Sequence, residues 1–384
     1  MSNTGRFLVV VAAIVAVLWW ALAAQQQERH AGDPVRVSSV LGEGDTAGFE
    51  LADPDYRLVF PADHGPHPDF RTEWWYFTGN LMADDGRHFG FQYTIFRFAL
   101  AAEGADRASP WATRQIWMGH LALTDVAGER FYRVERFARG GRIGLAGATS
   151  EPFRVWLDDW AMGSQQDSFL PLQLSAQDAD FGIELLLADG VGPVLQGDQG
   201  YSAKGPGTGN ASHYYSFTRL DTLGRVRIGS EDIEVTGQAW LDREWSTSAL
   251  GPGVNGWDWF ALQMSDGADL MFYRLRRADG SPDPLSAGLI VDPDSSPRRL
   301  SSADARMRPT RYWTSDETGI RYPVAWRLEI PGEALDLQVE ALLDAQEMAL
   351  SVRYWEGAVR ITGSRGGGAI EGFGYLEMTG YEED

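Results

Sequence analysis

The sequence predicts an all-β protein made of two tandem antiparallel β-barrels, and three observations lead there. Short apolar runs that alternate at period two, punctuated by Gly, Asp and Pro, fill the chain from residue 51 onward. No amphipathic helix of ordinary length interrupts them. A Trp-rich hairpin occurs twice, each time in the same order relative to a Gly-x-x-aromatic-Leu-acid strand. At 384 residues and 44% hydrophobic content the chain is long enough for two separate cores.

At the N-terminus, Arg6 precedes an apolar run over residues 7–24 that closes in Ala21, Ala23 and Ala24, the architecture of a signal peptide over residues 1–24. The run just reaches membrane-spanning length, so an uncleaved anchor is its competitor. Either way the body is expected in the periplasm or on the extracytoplasmic face of the membrane, touching the membrane only through this segment. Residues 25–50 are polar and read as a linker. Two aromatic, β-branched runs over residues 73–97 then flank a turn centred on Asp85-Gly86, which is a β-hairpin signal. Its first strand carries Trp74 and Tyr76 on one face and Trp75 and Phe77 on the other. Neither face is built for water, and one is expected to line a cavity.

Runs beginning at Trp117, Phe131, Phe153, Phe169 and Phe181, and later at Gly288, Ala325, Leu335, Ala349 and Ala358, read as further strands. Residues 200–216 are Gly-rich yet carry Lys204, His213, Tyr214 and Tyr215. They lack the Gly-Lys-Ser/Thr ending of a phosphate loop and read as a loop that leads into a strand and is able to cover a cavity mouth.

The first hairpin returns around Trp257, with Asp266-Gly267 in its turn. Trp74 aligns with Trp257, Tyr76-Phe77 with Trp259-Phe260, Leu81 with Met264, Gly86 with Gly267 and Phe91 with Phe272. The strand Gly237-Gln238-Ala239-Trp240-Leu241-Asp242 is matched by Gly372-Phe373-Gly374-Tyr375-Leu376-Glu377. The pattern indicates a tandem duplication, with one domain over residues 51–246 and a second over residues 247–384. Only residues 246–256 separate the closing strand of one from the hairpin of the next, a connection that holds the two side by side.

A net charge of −21, with no Lys/Arg cluster interleaved with aromatics, speaks against nucleic acid as a partner. Cysteine is absent, which removes thiol catalysis, disulfides and Cys-ligated zinc. His64 and His67 flank a Gly-Pro that prevents a regular helix, and no acidic third ligand is evident nearby, so neither a metal nor a cofactor is expected. His30 and His88 read as surface residues. Gly-x-Ser-x-Gly, Ser-x-x-Lys and His-Glu-x-x-His are all missing, which leaves a serine-type hydrolase only weakly supported.

On the strand over residues 238–245, period two puts Gln238, Trp240, Asp242 and Glu244 on one face and Ala239, Leu241, Arg243 and Trp245 on the other. A carboxylate beside Trp240 in a dry cavity would have its pKa raised, as a general acid for alkene protonation requires. The alternative is a structural ion pair of Asp242 or Glu244 with Arg243 or an arginine of the following hairpin, with Trp245 and Trp257 covering it. His120 is a cavity ligand or a hydrogen-bonded core histidine. Trp74, Trp75, Tyr76, Trp240, Trp245, Trp257 and Trp259 are the residues to line a tunnel for a long apolar ligand, or else to pack the barrels.

Glu73-Trp74-Trp75-Tyr76, Gly200-Tyr201-Ser202-Ala203-Lys204-Gly205, Ala211-Ser212-His213-Tyr214-Tyr215-Ser216, the strand from Gly237 to Trp245, and Gly374-Tyr375-Leu376-Glu377-Met378-Thr379-Gly380-Tyr381 together resemble the carotenoid 1,2-hydratase/AttH family over roughly residues 55–384. The resemblance implies two lipocalin-like domains, a barrel type whose interior has room for one ligand. It also implies addition of water to an isolated double bond of an acyclic carotenoid. Asp242 and Trp245 match the strand that carries the family's acid, and Tyr273 matches a helper tyrosine. Arg243 stands where a histidine is expected, and Arg274, Arg276 and Arg277 follow Tyr273 where a second acid is expected. The leading expectation is a protein that binds a hydrophobic small molecule such as a lipid or isoprenoid, with an envelope transporter as a possible partner. The competing one is a hydro-lyase with Asp242 as acid and Tyr273 as helper.

Overall fold

The computed structural model describes residues 46–382 apart from 103–108, 110, 111, 142, 208, 249, 252 and 294. The segment read as a signal peptide and nearly all of the linker lie outside the described residues. The first sheet contains β1 (Thr72–Ala83), β2 (His88–Ala99), β3 (Gln115–Asp125), β4 (Arg130–Arg139), β5 (Ala146–Ser150), β6 (Phe153–Leu157), β7 (Trp160–Ser164), β8 (Leu172–Gln177), β9 (Phe181–Gly190), β10 (Val194–Leu195), β11 (Tyr201–Ala203), β12 (Ala211–Ile228) and β13 (Glu231–Ser248). The second contains β14 (Val254–Met264), β15 (Asp269–Arg277), β16 (Ala287–Val291), β17 (Arg298–Ser301), β18 (Arg306–Thr314), β19 (Arg321–Ile330), β20 (Leu335–Ala341), β21 (Glu347–Ala349), β22 (Arg353–Arg365) and β23 (Gly368–Thr379). Among the described residues the helical content is two single 3-10 turns, Ala62–His64 and Pro331–Glu333.

Both sheets are antiparallel and curl around their own cores. In the first the order is β4-β3-β2-β1-β13-β12-β9-β8-β7-β6-β5, and its edges meet at a bridge from Gly140 to Ala146, which closes a barrel. In the second the order is β17-β16-β15-β14-β23-β22-β20-β19-β18, and the curl remains a half-barrel. Each opening hairpin lies beside its closing strand, β2-β1-β13 in one sheet and β15-β14-β23 in the other. Registers correspond as well: Tyr76 pairs with Asp242 and Leu81 with Gly237, while Trp259 pairs with Glu377 and Met264 with Gly372. Gly86 and Gly267 sit in the two hairpin turns at φ of 87° and 86°, a conformation that costs other residues a steric penalty. One expected strand differs: the run from Ala349 breaks after β21 and resumes in β22.

The double-faced strands of the sequence now have a physical explanation. One face of β1 and β13, with Trp75, Phe77, Leu241 and Trp245, fills the first barrel. The other, with Trp74, Tyr76 and Trp240, packs on the second sheet against Trp257, Trp259, Ala358 and Tyr375. The half-barrel has its own interior of Phe260, Leu262, Trp326, Trp355 and Leu376. Polar ties cross the seam, among them Asn80 Nδ2 to the Gly374 carbonyl at 3.0 Å and Thr124 Oγ1 to Gln346 Oε1 at 2.6 Å. Gly90 belongs to the same contact, since a Cβ there would lie 2.4 Å from the Ala358 Cβ.

Candidate active site between the two sheets

A cavity of about 110 Å³ opens within this seam. The lipocalin-like interior was the expected place for a ligand, but both interiors are filled by side chains and the cavity lies outside them. Trp74, Phe96, Phe98 and Met118 line it from the first sheet, and Trp257, Trp259, Leu275 and Val352 from the second. Its polar groups are Tyr76, His120, Lys204, Tyr214, Asp242 and Glu244 on one side and Tyr273, Tyr354, Glu377 and Thr379 on the other. An apolar chamber with a small number of convergent polar groups is the general form of a small-molecule site.

Asp242 stands at its wall, 4% exposed. Ser216 Oγ donates to its Oδ1 at 2.5 Å and Trp240 Nε1 to the same oxygen at 2.6 Å, while the Tyr214 hydroxyl donates to Oδ2. Trp259 Nε1, from the second sheet, donates in turn to the Tyr214 hydroxyl at 3.2 Å. No cation pairs with Asp242 among the described residues. Burial therefore dominates and pushes its carboxyl up to about 7, against the three hydrogen bonds and with help from the Glu244 charge. A carboxyl held there keeps its proton near neutral pH, at a wall of aromatic rings where it can protonate a substrate.

Glu244 is paired with Lys204, whose ammonium sits 5.4 Å from the Tyr214 ring centre and 5.6 Å from that of Tyr273. The Tyr273 hydroxyl bonds Ser202 Oγ at 3.1 Å, and burial pushes it up to about 12. From the third wall, His120 Nδ1 bonds the Tyr354 hydroxyl at 2.6 Å and its Nε2 bonds Glu135 Oε2 at 3.1 Å. His120 is thus a hydrogen-bonded buried histidine whose ring also forms part of the cavity wall.

Of the residues singled out from the sequence, the structure brings Trp74, Tyr76, His120, Lys204, Tyr214, Asp242, Trp257, Trp259 and Tyr273 to this cavity, and Trp240 stands behind it as a donor to Asp242. Trp75, Tyr215 and Trp245 do not belong to it. Their side chains lie on the opposite strand face, in the core of the first barrel.

The expected ion-pair cluster at the junction is also corrected. Arg243 points into the barrel, where it pairs with Glu73, bonds the Gly65 carbonyl at 2.6 Å and lies 4.1 Å from the Trp75 ring centre. Arg97 takes the second oxygen of Glu73. Asp258 pairs separately with Arg274 and Arg276. The carboxylates divide by strand face, and Asp242 is left without an arginine. His88, read as a surface residue, is instead buried on Asn80 at 2.9 Å, and burial lowers its pKa to about 4. His64 bonds the Tyr215 hydroxyl at 2.7 Å, and His67 stacks on Trp245 with ring centres 3.8 Å apart. Among the described residues no group of acidic or histidine side chains has the arrangement of a metal site.

Sequence reasoning missed Glu377, Tyr354, Phe96 and Phe98. For Glu377 a signal existed: in the repeated Gly-x-x-aromatic-Leu-acid strand it occupies the place of Asp242.

A two-sheet β protein with an apolar, acid-walled cavity at the seam is the class that fold and site define. The chain belongs to the AttH-like family, whose model matches residues 51–381. A solved AttH protein of Nitrosomonas europaea is 36% identical, with 87% of this chain and 100% of that one aligned at a TM-score of 0.77. Kievitone hydratase of Nectria haematococca shares the fold at a TM-score of 0.66 with 14% identity, over 89% of this chain and 98% of the other. A dehydratase, asqC, of Emericella nidulans is 21% identical over 226 residues, 56% of this chain and 63% of the relative's length. The chain thus spans less than two thirds of that curated relative.

Proposed function

We propose that this protein is a hydro-lyase that adds water to, or removes it from, an apolar substrate held in the seam between the two sheets. The observation that carries the proposal is Asp242: a buried carboxyl with three hydrogen-bond donors, no cationic partner and an aromatic chamber in front of it. In the hydration direction its proton passes to one carbon of a double bond, and water bonds to the neighbouring cationic carbon and gives up a proton. The alcohol formed is the alkene plus one water. Dehydration reverses the sequence: a proton reaches the departing hydroxyl, water leaves, and the ionised Asp242 takes the proton back from the neighbouring carbon. The aromatic walls favour a cation in the chamber, because ring faces attract positive charge. The relatives named hydratase and dehydratase support this reaction class, while the apolar lining supports an isoprenoid or similarly hydrophobic substrate.

An extracytoplasmic location is part of the proposal and rests on the apolar segment at residues 7–24. N-terminal sequencing of envelope material is expected to find a chain beginning near Gln25, and recovery of intact Met1 in membranes would point to an anchor.

The reaction is tested by incubating the purified protein with an acyclic carotenoid and looking for a product heavier by one water. Asp242→Asn is expected to lower turnover by about 10²–10⁴-fold while the melting midpoint changes little, since asparagine preserves the shape of the neutral acid. Binding of the carotenoid without turnover in either direction would favour a carrier instead.

A further inference from the structure

A second acidic device faces the same cavity from the other sheet. Glu377 lines it, with its Oε1 accepting from Trp257 Nε1 at 2.6 Å. Directly across the ladder is Glu356, wholly buried, whose Oε1 accepts from the Tyr76 hydroxyl at 2.5 Å. Glu356 Oε2 is buried without a hydrogen-bond partner, and the charge that acts on Glu356 most strongly is the carboxyl of Glu377, its partner across the ladder. Two carboxylates cannot bond each other unless one keeps a proton. Other groups facing the pair are the phenols of Tyr76, Tyr354 and Tyr375 and the charge of Glu244. No cation bonds either carboxyl among the described residues. Burial first, and then mutual repulsion, push Glu356 far up, so that it is the member that keeps the proton. Glu377 is held up by burial and in turn accepts from Glu356, which leaves it the member that can take up or release a proton toward the cavity.

We propose that Glu377 is the second catalytic group of the site, the base that takes the proton from water during hydration and the acid that returns it during dehydration, and that Glu356 positions it. The inference rests on the hydro-lyase reading. The proton balance is complete within the chain: Asp242 gives a proton to carbon, the oxygen of water bonds to the cationic carbon, and the water proton goes to Glu377. The Glu356–Glu377 pair then holds two protons and Asp242 none. One proton returned through water to Asp242 restores the starting state. Asp242 and Glu377 occupy equivalent places in the two sheets, opposite Tyr76 and Trp259 respectively, so the two proton-handling groups approach a bound molecule from opposite sides of the seam.

Two measurements test this. In an infrared titration of the free protein, the stretching band of a protonated carboxyl is expected to persist at neutral pH. It should lose intensity in E356Q, where glutamine replaces the protonated member and keeps a carboxyl–amide contact and hence the fold, and persist in E377Q, where burial still holds the proton on Glu356. With an acyclic carotenoid as probe, E377Q is expected to lower kcat about 100-fold with KM little changed. E356Q should remain active but with the limb of its kcat–pH profile displaced. If E377Q turns over at the wild-type rate with the wild-type pH profile while D242N is dead, this inference fails and the hydro-lyase reading stands. An infrared band unchanged in both glutamine variants would also overturn it. If the wild-type protein transforms no probe, the underlying reading fails and this assignment with it.

Discussion

At the scale of residues, the decisive fact is how two neighbouring positions on one strand were separated. Asp242 and Arg243 are adjacent in sequence, and the pleat sends one into a seam where the cation, Lys204, pairs with Glu244 instead, and the other into a barrel where Glu73 lies. Removing Arg243 leaves the wholly buried Glu73 with Arg97 as its one arginine, beside the His67 backbone N–H that donates to Oε2 at 2.9 Å. Arg243→Ala is expected to destabilise the protein by about 3–5 kcal/mol in urea unfolding, the cost of breaking a fully buried pair. A loss under about 1 kcal/mol would show that the pair is dispensable. The pH dependence of stability has a definite sign. The Asp242 carboxyl rises from 3.8 to about 7 on folding, so the native state binds its proton more tightly, and the stability it confers is present below 3.8 and is lost as pH rises to about 7. The buried neutral histidines His64 and His213 act oppositely. Their pKa values fall from 6.5 to about 3 and about 4, chiefly through burial, so stability is lost as pH drops below 6.5. The Asp242 contribution is read as a difference: the melting midpoint of Asp242→Asn should gain on that of the wild type as pH rises from 3.8 to about 7. A difference that does not vary with pH would mean that Asp242 is ionised in the native state. The two faces of this strand were legible in the sequence. Which face met an arginine was not, because period two sorts side chains without naming what lies opposite.

At the scale of elements, the two hairpins and their closing strands were legible because turn chemistry and alternating aromatics are local signals. Asp85-Gly86 and Asp266-Gly267 mark the turns, and the paired registers of Tyr76 with Asp242 and Trp259 with Glu377 follow the alignment of the repeated strands. The first hairpin carries large residues on both faces because the inner side of β1 serves a barrel and its outer side a neighbouring sheet. Of the two places open to Trp75 and Trp245, tunnel wall or barrel packing, the structure gives them the second, and Tyr215 joins them there, because aromatic composition does not distinguish a core face from a cavity face. The seam is tightest where β2 meets β22, at Gly90. Gly90→Val is expected to wedge the sheets apart there, at a cost of about 1–3 kcal/mol by overpacking, and to weaken binding of an apolar fluorescent probe without disturbing either interior. Unchanged stability and unchanged probe binding would show that the seam is loose at this point.

At the scale of the whole molecule, the site exists only because two curled sheets face each other. The first supplies Asp242, Glu244 and Lys204, the second Tyr273, Tyr354 and Glu377, and neither interior contributes a reacting group. Separating them would expose Tyr76, Trp240, Trp259 and their neighbours, each large apolar side chain being worth roughly 1.5–3 kcal/mol of burial. The described body is therefore expected to melt in one calorimetric transition, and two resolved transitions would show that the sheets fold independently. The short connection over residues 246–256 made the side-by-side arrangement legible. A cavity in the seam was not, since it depends on the outer faces of strands more than a hundred residues apart in the sequence. The most direct test of the central claim is incubation of the wild-type protein and Asp242→Asn with an acyclic carotenoid in oxygen-labelled water, followed by mass spectrometry. A hydro-lyase with Asp242 as its acid gives a product carrying one labelled water with the wild type and none with the variant; substrate bound but recovered unchanged, or equal incorporation by both proteins, would rule out that role.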